Sequence, residues 1–229
     1  MTALILLDAA GRRRSPATVP GHHCGHAPRN KGLRYPADPP TVEEIVAVMR
    51  CAGPTPHGLR ALALIVLLWR AGLRISGAVA LTESDLNRAT GGVLVRCGKG
   101  GKRREVGMDR WGWEQIEPWC HWRVEMPVGA LLCVIDGPTS GRPWSPSAAR
   151  TTLRDLAVAA GVRRRFAPHQ LRHAHAVGMA READVIQRQL GHANLGITSI
   201  YLQGIDNSEI INTIYARPAP MLPASAGLR

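Results

Sequence analysis

The chain has 229 residues, an apolar fraction of 45% and a formal net charge of +12. This length predicts one large domain, or one domain with extensions, and the apolar fraction suffices for a packed core. The charge makes nucleic acid the first expected partner. The longest apolar run, Ala61 to Trp69, is too short to span a membrane and fits a buried helix.

The cysteines indicate the redox compartment of the protein, and the lysines indicate candidate proton donors. The five cysteines are odd in number and widely spaced, which favours reduced thiols in the cytoplasm over a disulfide framework, and no signal peptide is evident. Only three of the 29 basic residues are lysines. Two of them, Lys99 and Lys102, lie in the sequence GKGGKRR. Lysine, unlike arginine, can give up a proton near neutral pH when its site perturbs it.

Residues 1–40 are predicted to form a basic, flexible N-terminal arm. They are rich in Gly, Pro, Arg and His and lack the periodicity of a packed domain. The arm either lies along a DNA backbone or is a disordered leader. Zinc is conceivable at the sequence GHHCGH, residues 21–26, but no second ligand pair follows at finger spacing, so we predict no metal there.

Two helices are predicted next. Thr41 and Glu44 form a capping box that opens the first helix, and Gly53-Pro54 ends it. A second helix covers roughly Leu59 to Ala71, and Gly72 ends or bends it just before Arg74.

In the middle of the chain, the spacing of apolar residues changes to the one typical of β-strands. Val93–Val95 and Glu105–Met108 are predicted to form an antiparallel hairpin with Lys99 near its tip. Leu131 to Ile135 is either a short strand or a buried segment. Four tryptophans between residues 111 and 122 are more typical of core packing than of base stacking.

The last third of the chain contains the most informative stretch. Ser145-Pro146 opens a helix that Gly161 ends. Pro168 is suited to the first turn of the next helix, on which His169 and Arg172 share one face near the N-terminus, where an anion is favoured. Asp206 caps a final short helix whose apolar residues are Ile210, Ile211 and Ile214, and residues 217–229 are expected to be a flexible tail.

Six residues along the chain could together act on a phosphodiester: Arg74, Lys99, His169, Arg172, His192 and Tyr201. Two guanidinium groups can hold the phosphate, histidines can donate to it or move a proton, a lysine can protonate a leaving alkoxide, and a tyrosine can attack phosphorus. Fixed cations stabilise the developing charge directly, so such a set implies no metal and no cofactor.

Four segments in this order resemble the catalytic domain of the tyrosine recombinases, the phage integrase family, in its Xer-like branch: AGLRISGAVAL, GKGGKRREV, HQLRHAHA and LGHANLGITSIY. The resemblance covers about Thr41 to Ala216. It implies a mainly α (α+β) fold, a helical catalytic domain with a small antiparallel sheet. It also implies a homotetramer that cuts and rejoins double-stranded DNA through a 3′-phosphotyrosine, with no membrane and no small-molecule substrate. Ile210, Ile211 and Ile214 are then expected to contact a neighbouring copy.

The resemblance also implies a role for each residue. Arg74 and Arg172 match the two arginines that clamp the scissile phosphate, and His169 and His192 match the supporting positions. Lys99 matches the hairpin lysine that acts as general acid, with Lys102 close enough to be an alternative. Tyr201 matches the nucleophile, whereas Tyr215 lacks that sequence context.

Three departures from the family pattern keep other functions open. Gly77 stands where the family has a carboxylate, the segment from Arg172 to His192 is a few residues shorter, and the family's glycine-bearing turn is reduced to AREAD, residues 180–184. In addition, residues 1–40 are too short for the family's N-terminal DNA-clamping domain. The alternatives are a catalytically impaired DNA-binding module of the same fold, from a truncated or decayed integrase, and a nicking and closing enzyme like the type IB topoisomerases.

Overall fold

The structure is a computed structural model that describes residues 38–96, 103–190 and 207–220, with the backbone alone for residues 180–190 and 207–210. Seven helices and three strands follow one another in the described part: α1 Val42–Ala52, α2 Pro56–Trp69, α3 Ile75–Val79, β1 Leu86–Asn87, β2 Gly92–Val95, β3 Arg104–Gly107, α4 Arg110–Arg123, α5 Pro146–Ala159, α6 Pro168–Leu190 and α7 Asn207–Tyr215. The predicted fold class, mainly helical with a small antiparallel sheet, is confirmed.

Helix α2 lies at the centre of the domain. Its sequence, PHGLRALALIVLLW, is apolar on nearly every side, and ten of its residues are buried. It packs against α1, α4 and α6. The helix begins at Pro56, three residues before the predicted Leu59, because the side chain of Thr55 accepts a hydrogen bond from Gly58 N and proline is favourable in a first turn. Among the described residues, no helix has the length and apolarity to cross a membrane.

Local capping chemistry sets the other helix starts. In α1 both hydrogen bonds of the predicted capping box are present: Glu44 N donates to Thr41 Oγ1, and Thr41 N donates to Glu44 Oε2. Helix α5 begins behind Ser145, whose hydroxyl accepts from Ala148 N. The two predicted starts are therefore confirmed.

The sheet has the strand order β1-β2-β3, all antiparallel. Its register pairs Val93 with Val106 and Val95 with Arg104, and Val93 and Val95 are buried in the core. The predicted hairpin is confirmed, with its second strand starting one residue earlier, at Arg104. Strand β1 has only two residues, too few for a periodic pattern.

Tryptophans of α4 contribute to the core, as predicted. Trp113 and Trp119 are buried, and their indole N–H groups donate to the carbonyls of Met108 and Leu131. The segment around Leu131 forms isolated bridges, such as Cys133 with Pro143, so it is a buried segment and not a strand.

Helix α7 packs on the outer face of β3 in the same chain. Ile211 is buried, and the side chain of Ile214 lies so close to Gly107 that a Cβ there would be 2.9 Å from Ile214 Cβ. Ile211 and Ile214 thus lie against the bare strand at Gly107 of the same chain, and the expectation that the isoleucines contact a neighbouring copy stays a prediction. The side chain of Ile210 and the predicted cap Asp206 lie outside the described residues.

Candidate active site

The turn Gly72-Leu73-Arg74 directs the first candidate arginine. Gly72 has φ +62, a left-handed conformation that glycine adopts without strain. Leu73 is 1% exposed, and its N–H donates to Leu67 O at 3.1 Å, which anchors the turn on α2. Arg74 then takes the N-cap position of α3 and is exposed. The glycine makes the turn, the leucine fixes it, and the arginine projects toward solvent.

Arg172 on α6 is held beside this turn. Its Nη1 group donates a hydrogen bond to Gly72 O, across 100 residues of sequence. The side chain is half-buried, and burial, together with the positive charges of Arg74 and Arg104, lowers the pKa of its guanidinium. The carbonyl of the turn that presents Arg74 thus also orients Arg172, so the two predicted clamp arginines belong to one local structure.

His169 and Arg172 lie in the first two turns of α6, as predicted from Pro168. His169 is exposed, and its ring faces that of His173 with centroids 6.4 Å apart and an interplanar angle of 27°. Leu171, between the two candidates, is fully buried and fixes the rotation of the helix. One face of α6 therefore presents a histidine and an arginine near a helix N-terminus, which favours an anion.

His175, one turn further along α6, packs between the end of α2 and the turn at Gly72. Its Nδ1 lies 2.8 Å from Trp69 O, so this nitrogen carries the hydrogen, since a carbonyl only accepts. Burial, followed by the charge of Arg217, lowers the pKa of His175 to about 4. Its ring lies against Gly72, where a Cβ would come within 2.5 Å of Cδ2. Position 72 thus requires glycine for its conformation and for this close contact.

A pocket of about 190 Å³ opens beside Arg172. Residues from the turn, from β3, from α6 and from α7 line it, among them Gly72, Arg104, Glu105, Arg172, His175 and Ile214. Among the described residues, no group of three or more His, Cys, Asp or Glu side chains could hold a metal ion. The described lining carries the guanidinium groups of Arg104 and Arg172 and the carboxylate of Glu105, so its formal charge is positive, which favours an anion.

Gly77 lies close to this region, in α3. A Cβ at this position would have Val95 Cγ1, at 3.6 Å, as its nearest neighbour, which is ordinary van der Waals contact. The carboxylate expected here from the family pattern is absent although the described structure has room for a side chain.

Three of the six predicted site residues, Arg74, His169 and Arg172, are described, and the structure brings Arg74 and Arg172 together. Lys99, His192 and Tyr201 lie outside the described residues, as does Lys102, the alternative to Lys99. Tyr215, which the sequence context disfavoured as nucleophile, packs on the turn between β1 and β2: a Cβ on Gly91 would come within 2.4 Å of Tyr215 Cδ2.

Three groups at this site were not among the residues predicted from sequence: the carbonyl of Gly72, His175 and Arg104. A main-chain carbonyl is common to every residue, so no sequence pattern could have indicated the first. His175 had a weak sequence signal, because it lies three residues after Arg172, on a related face of the helix. Arg104 fell outside the predicted strand by one residue. With the strand extended to Arg104, the alternation of side chains would have placed it on the same face as Val106.

Comparisons with known proteins agree with this fold. The model of the phage integrase family matches residues 39–207. A tyrosine recombinase XerC of Mesorhizobium japonicum is 31% identical over 216 residues, which are 91% of this chain and 67% of that protein. A tyrosine recombinase XerD of Halalkalibacterium halodurans is 32% identical over 167 residues, 70% of this chain and 55% of the relative. The chain thus spans between about half and two thirds of the length of these relatives.

Solved structures share the architecture. The crystal structure of XerA recombinase superposes with a TM-score of 0.55 at 23% identity, covering 82% of this chain and 67% of that one. The XerH site-specific recombinase bound to its palindromic difH substrate gives the same TM-score and identity over 80% of this chain and 53% of that one. With the match of the family model over most of the chain, the conclusion is that this chain belongs to the phage integrase family.

Proposed function

We propose that this chain is the catalytic domain of a site-specific DNA recombinase that works without a metal. The Oη of Tyr201 gives its proton to His169 and attacks the scissile phosphorus, the bond to the 5′-oxygen breaks, and Lys99 gives its own proton to that oxygen. The products are a 3′-phosphotyrosine and a free 5′-hydroxyl. Attack by a 5′-hydroxyl from a second strand reverses these steps and restores Tyr201 and the protonated lysine.

The remaining candidates bind and polarise the phosphate. Arg74 and Arg172 hold its non-bridging oxygens in the manner for which a planar guanidinium is suited. His169 assists proton transfer, and His192 donates to the same phosphate. These cations stabilise the charge that develops on the phosphorane, which is the task that a metal performs in other enzymes.

The observation that carries the proposal is the convergence of Arg74 and Arg172 at Gly72. Their side chains come from segments 98 residues apart, and the charge of Arg74 is close enough to lower the pKa of Arg172. Two like charges kept together in this way favour a bound anion. The relatives named tyrosine recombinases supply the reaction class.

Double-stranded DNA is the proposed partner, and the cytoplasm, where bacterial DNA is accessible, is the proposed location. The related XerH structure holds its difH substrate, which supports a duplex as the ligand. We also propose that four copies assemble on two duplexes, since strand exchange needs four cleavages.

A nicked suicide substrate made from DNA that flanks the gene tests the chemistry. The nick lets a short fragment diffuse away after cleavage and traps the covalent adduct, which a denaturing gel and mass mapping locate. We expect an adduct at Tyr201 that is absent in Tyr201→Phe. An adduct that persists in Tyr201→Phe, or maps to Tyr215, would assign the nucleophile elsewhere.

Substitution of Arg172 tests the clamp. Arg172→Ala is expected to lower the cleavage rate roughly 10²–10³-fold, as for the loss of one transition-state donor. Arg172→Lys keeps the charge but loses the two-pronged geometry and is expected to fall between Arg172→Ala and wild type. Single-turnover cleavage at saturating DNA gives the rates. Cleavage by Arg172→Ala at the wild-type rate would remove Arg172 from the clamp.

A second candidate function is a DNA-binding module without catalysis, and one observation favours it. Helix α6 runs unbroken for 23 residues through Ala180–Asp184, where the family pattern has a glycine-bearing turn. An extended helix changes the direction in which the chain leaves toward His192 and Tyr201, and a misplacement of ~1 Å can lower a rate about 10²-fold. Tight binding of the same duplex without any adduct would support the module.

A further inference from the structure

Arg104 lines the pocket together with Arg172, and the register of the sheet explains why. It pairs with Val95 across β2 and β3, so both side chains lie on the same face of the sheet. Val93 and Val95 are buried on that face. Arg104, at the end of the strand, is therefore directed toward the helical body, and its charge is among the causes that lower the pKa of Arg172.

The neighbouring carboxylate, Glu105, also lines the pocket, but the described residues show no ion pair between it and Arg104. Glu105 follows Arg104 in the strand and so points to the opposite face. Its Oε1 lies over Gly92, only 2.2 Å from where a Cβ at that position would be. Among the described residues, the side chain of Arg104 has no hydrogen bond and no ion pair.

Other arginines of the chain show what a structural role looks like. Arg96, eight residues before Arg104 and at the other side of the hairpin base, donates to Asp85 at 2.6 Å. Arg88 forms an ion pair with Glu117. Arg104 has no such partner although it lies beside two further positive charges. Three guanidinium groups near a single carboxylate, Glu105, leave an unfavourable excess of positive charge, and a bound phosphate would offset it.

We propose that Arg104 binds a non-bridging oxygen of the phosphodiester held by Arg74 and Arg172, as a third phosphate-binding guanidinium. The shared pocket of about 190 Å³ is lined by both Arg104 and Arg172, so one phosphate can be reached from β3 and α6 together. Arg104 also stands at the base of the hairpin that carries Lys99. A phosphate bound by Arg104 is thereby linked to the position of the proposed general acid. This role in cleavage rests on the proposed function.

Binding of inorganic phosphate tests the site without any DNA chemistry. The melting temperature of the full chain is followed as phosphate is added, with chloride as the control anion, and yields the dissociation constant. Arg104→Ala and Arg172→Ala are each expected to weaken phosphate binding roughly 10- to 100-fold, as for one charge-assisted hydrogen bond. The matched control Arg103→Ala, an exposed neighbour, is expected to bind as wild type.

The variants also separate a binding role from a folding role. The melting temperature without phosphate shows whether Arg104→Ala is folded, and Arg104→Lys, which keeps a charge but not the guanidinium fork, is expected to bind with intermediate affinity. Equal phosphate affinity of Arg104→Ala and Arg103→Ala would overturn the proposal, as would the absence of phosphate binding by wild type.

A second experiment uses the suicide substrate with a neutral methylphosphonate at the scissile position. On the natural phosphate, Arg104→Ala is expected to cleave roughly 10- to 100-fold more slowly than wild type. On the methylphosphonate this ratio is expected to shrink, because the group has lost the negative charge and one of the two non-bridging oxygens that a guanidinium can bind. An unchanged ratio would mean that Arg104 acts only by holding the hairpin, which overturns the proposal. If wild type forms no adduct at all, the proposed function fails while the phosphate titration still decides on Arg104.

Discussion

At the scale of single residues, burial decides what each arginine does. Arg60 is 6% exposed, its Nη1 donates to Cys133 O at 2.7 Å, and its guanidinium lies 3.9 Å from the centre of the Trp144 ring. Burial lowers the pKa of Arg60 to about 10, so it stays charged at neutral pH. Arg123 is fully buried and donates to the carbonyls of Pro127 and Ala130. Part of the net charge of +12 therefore stabilises the interior and is not available to a partner.

The pH dependence of stability is predicted to depend on His175. Its pKa is about 4 in the folded chain, against about 6.5 for an unperturbed histidine. The unfolded state therefore binds a proton first. The free energy of unfolding is highest above pH 6.5 and falls as the pH drops toward 4, by roughly 1–2 kcal/mol between pH 7 and pH 5 from this group.

Urea unfolding at pH 7 and pH 5 measures this effect. The difference between the two pH values is expected to shrink by that amount in His175→Gln, whose amide can still donate to Trp69 O. The exposed His121→Gln serves as control and is expected to keep the wild-type difference. The same difference in wild type and His175→Gln would show that His175 is not the responsible group.

At the scale of elements, β3 is held between the core on one face and α7 on the other. The face toward α7 is bare at Gly107, where a Cβ would lie 2.9 Å from Ile214 Cβ and 3.2 Å from the Cα of Ile211. Since a backbone atom and a β-branched side chain cannot both move aside easily, this contact fixes the distance between helix and strand. Helix α7 directly follows the segment that carries Tyr201, so the packing at Gly107 bears on the chain that delivers the proposed nucleophile.

Two identical substitutions are predicted to act in opposite directions. Gly107→Ala is expected to destabilise the domain by about 1–3 kcal/mol, because the new methyl group overpacks the contact with α7. Gly77→Ala, in α3, meets nothing closer than 3.6 Å and is expected to stabilise by about 0.5–1 kcal/mol, as alanine favours a helix. Thermal unfolding of both variants gives the signs. Equal stability of the two would contradict the packing of α7 on β3.

Elements were predictable from sequence where their cause is local. The capping box of α1 and the serine cap of α5 act within three residues, and both starts were predicted. The docking of α7 on β3 depends on the absence of a side chain at Gly107, a hundred residues earlier, and no local pattern contains it. The unbroken course of α6 was also missed. The family pattern suggested a turn at residues 180–184, whereas Ala, Arg and Glu there are strong helix formers.

At the scale of the whole molecule, a buried ion pair joins three parts of the chain. Arg70, at the end of α2, contacts Asp109 at 2.6 Å, and the side chains are 6% and 0% exposed. Asp109 is also the N-cap of α4, where its Oδ1 accepts from Gly112 N at 2.9 Å. Arg70 Nη2 donates to Pro218 O at 3.2 Å, within the segment expected to be a tail. The central helix, α4 and the segment after α7 thus meet at one charge pair.

Breaking this pair is predicted to destabilise the whole domain. Asp109→Asn keeps a capping side chain but leaves the charge of Arg70 without its carboxylate, which is expected to lower the free energy of unfolding by about 3 kcal/mol or more. That corresponds to a melting temperature lower by roughly 6–12 °C for a domain of this size. Asp155→Asn, in an exposed pair with Arg154, is the control and is expected to change stability by less than about 0.5 kcal/mol. Similar melting temperatures for both variants would contradict the structural role of Asp109.

The candidate site was predictable as a list of residues and less so as an arrangement. The sequence contexts of Arg74, His169 and Arg172 select them as candidates because each motif keeps its own local spacing, and their roles stay predictions. The link between them runs through a main-chain carbonyl and a histidine packed on a glycine, which are products of the folded chain. The contribution of β3 depended on a strand boundary, and one residue of error there removed Arg104 from the predicted site.

The candidate site has an exposed arginine, whereas the ion pair between Arg70 and Asp109 is buried. Ionic strength can therefore weaken anion binding without unfolding the domain. The screening length of an aqueous salt solution falls from about 10 Å at 0.1 M to about 3 Å at 1 M, and it acts on charges that solvent reaches. Arg74 is exposed, whereas Arg70 and Asp109 are almost fully enclosed. Concentrated salt should therefore detach an anion from the arginine site while the pair that joins α2, α4 and the C-terminal segment stays intact. Under such conditions the protein would be a folded chain with an empty site.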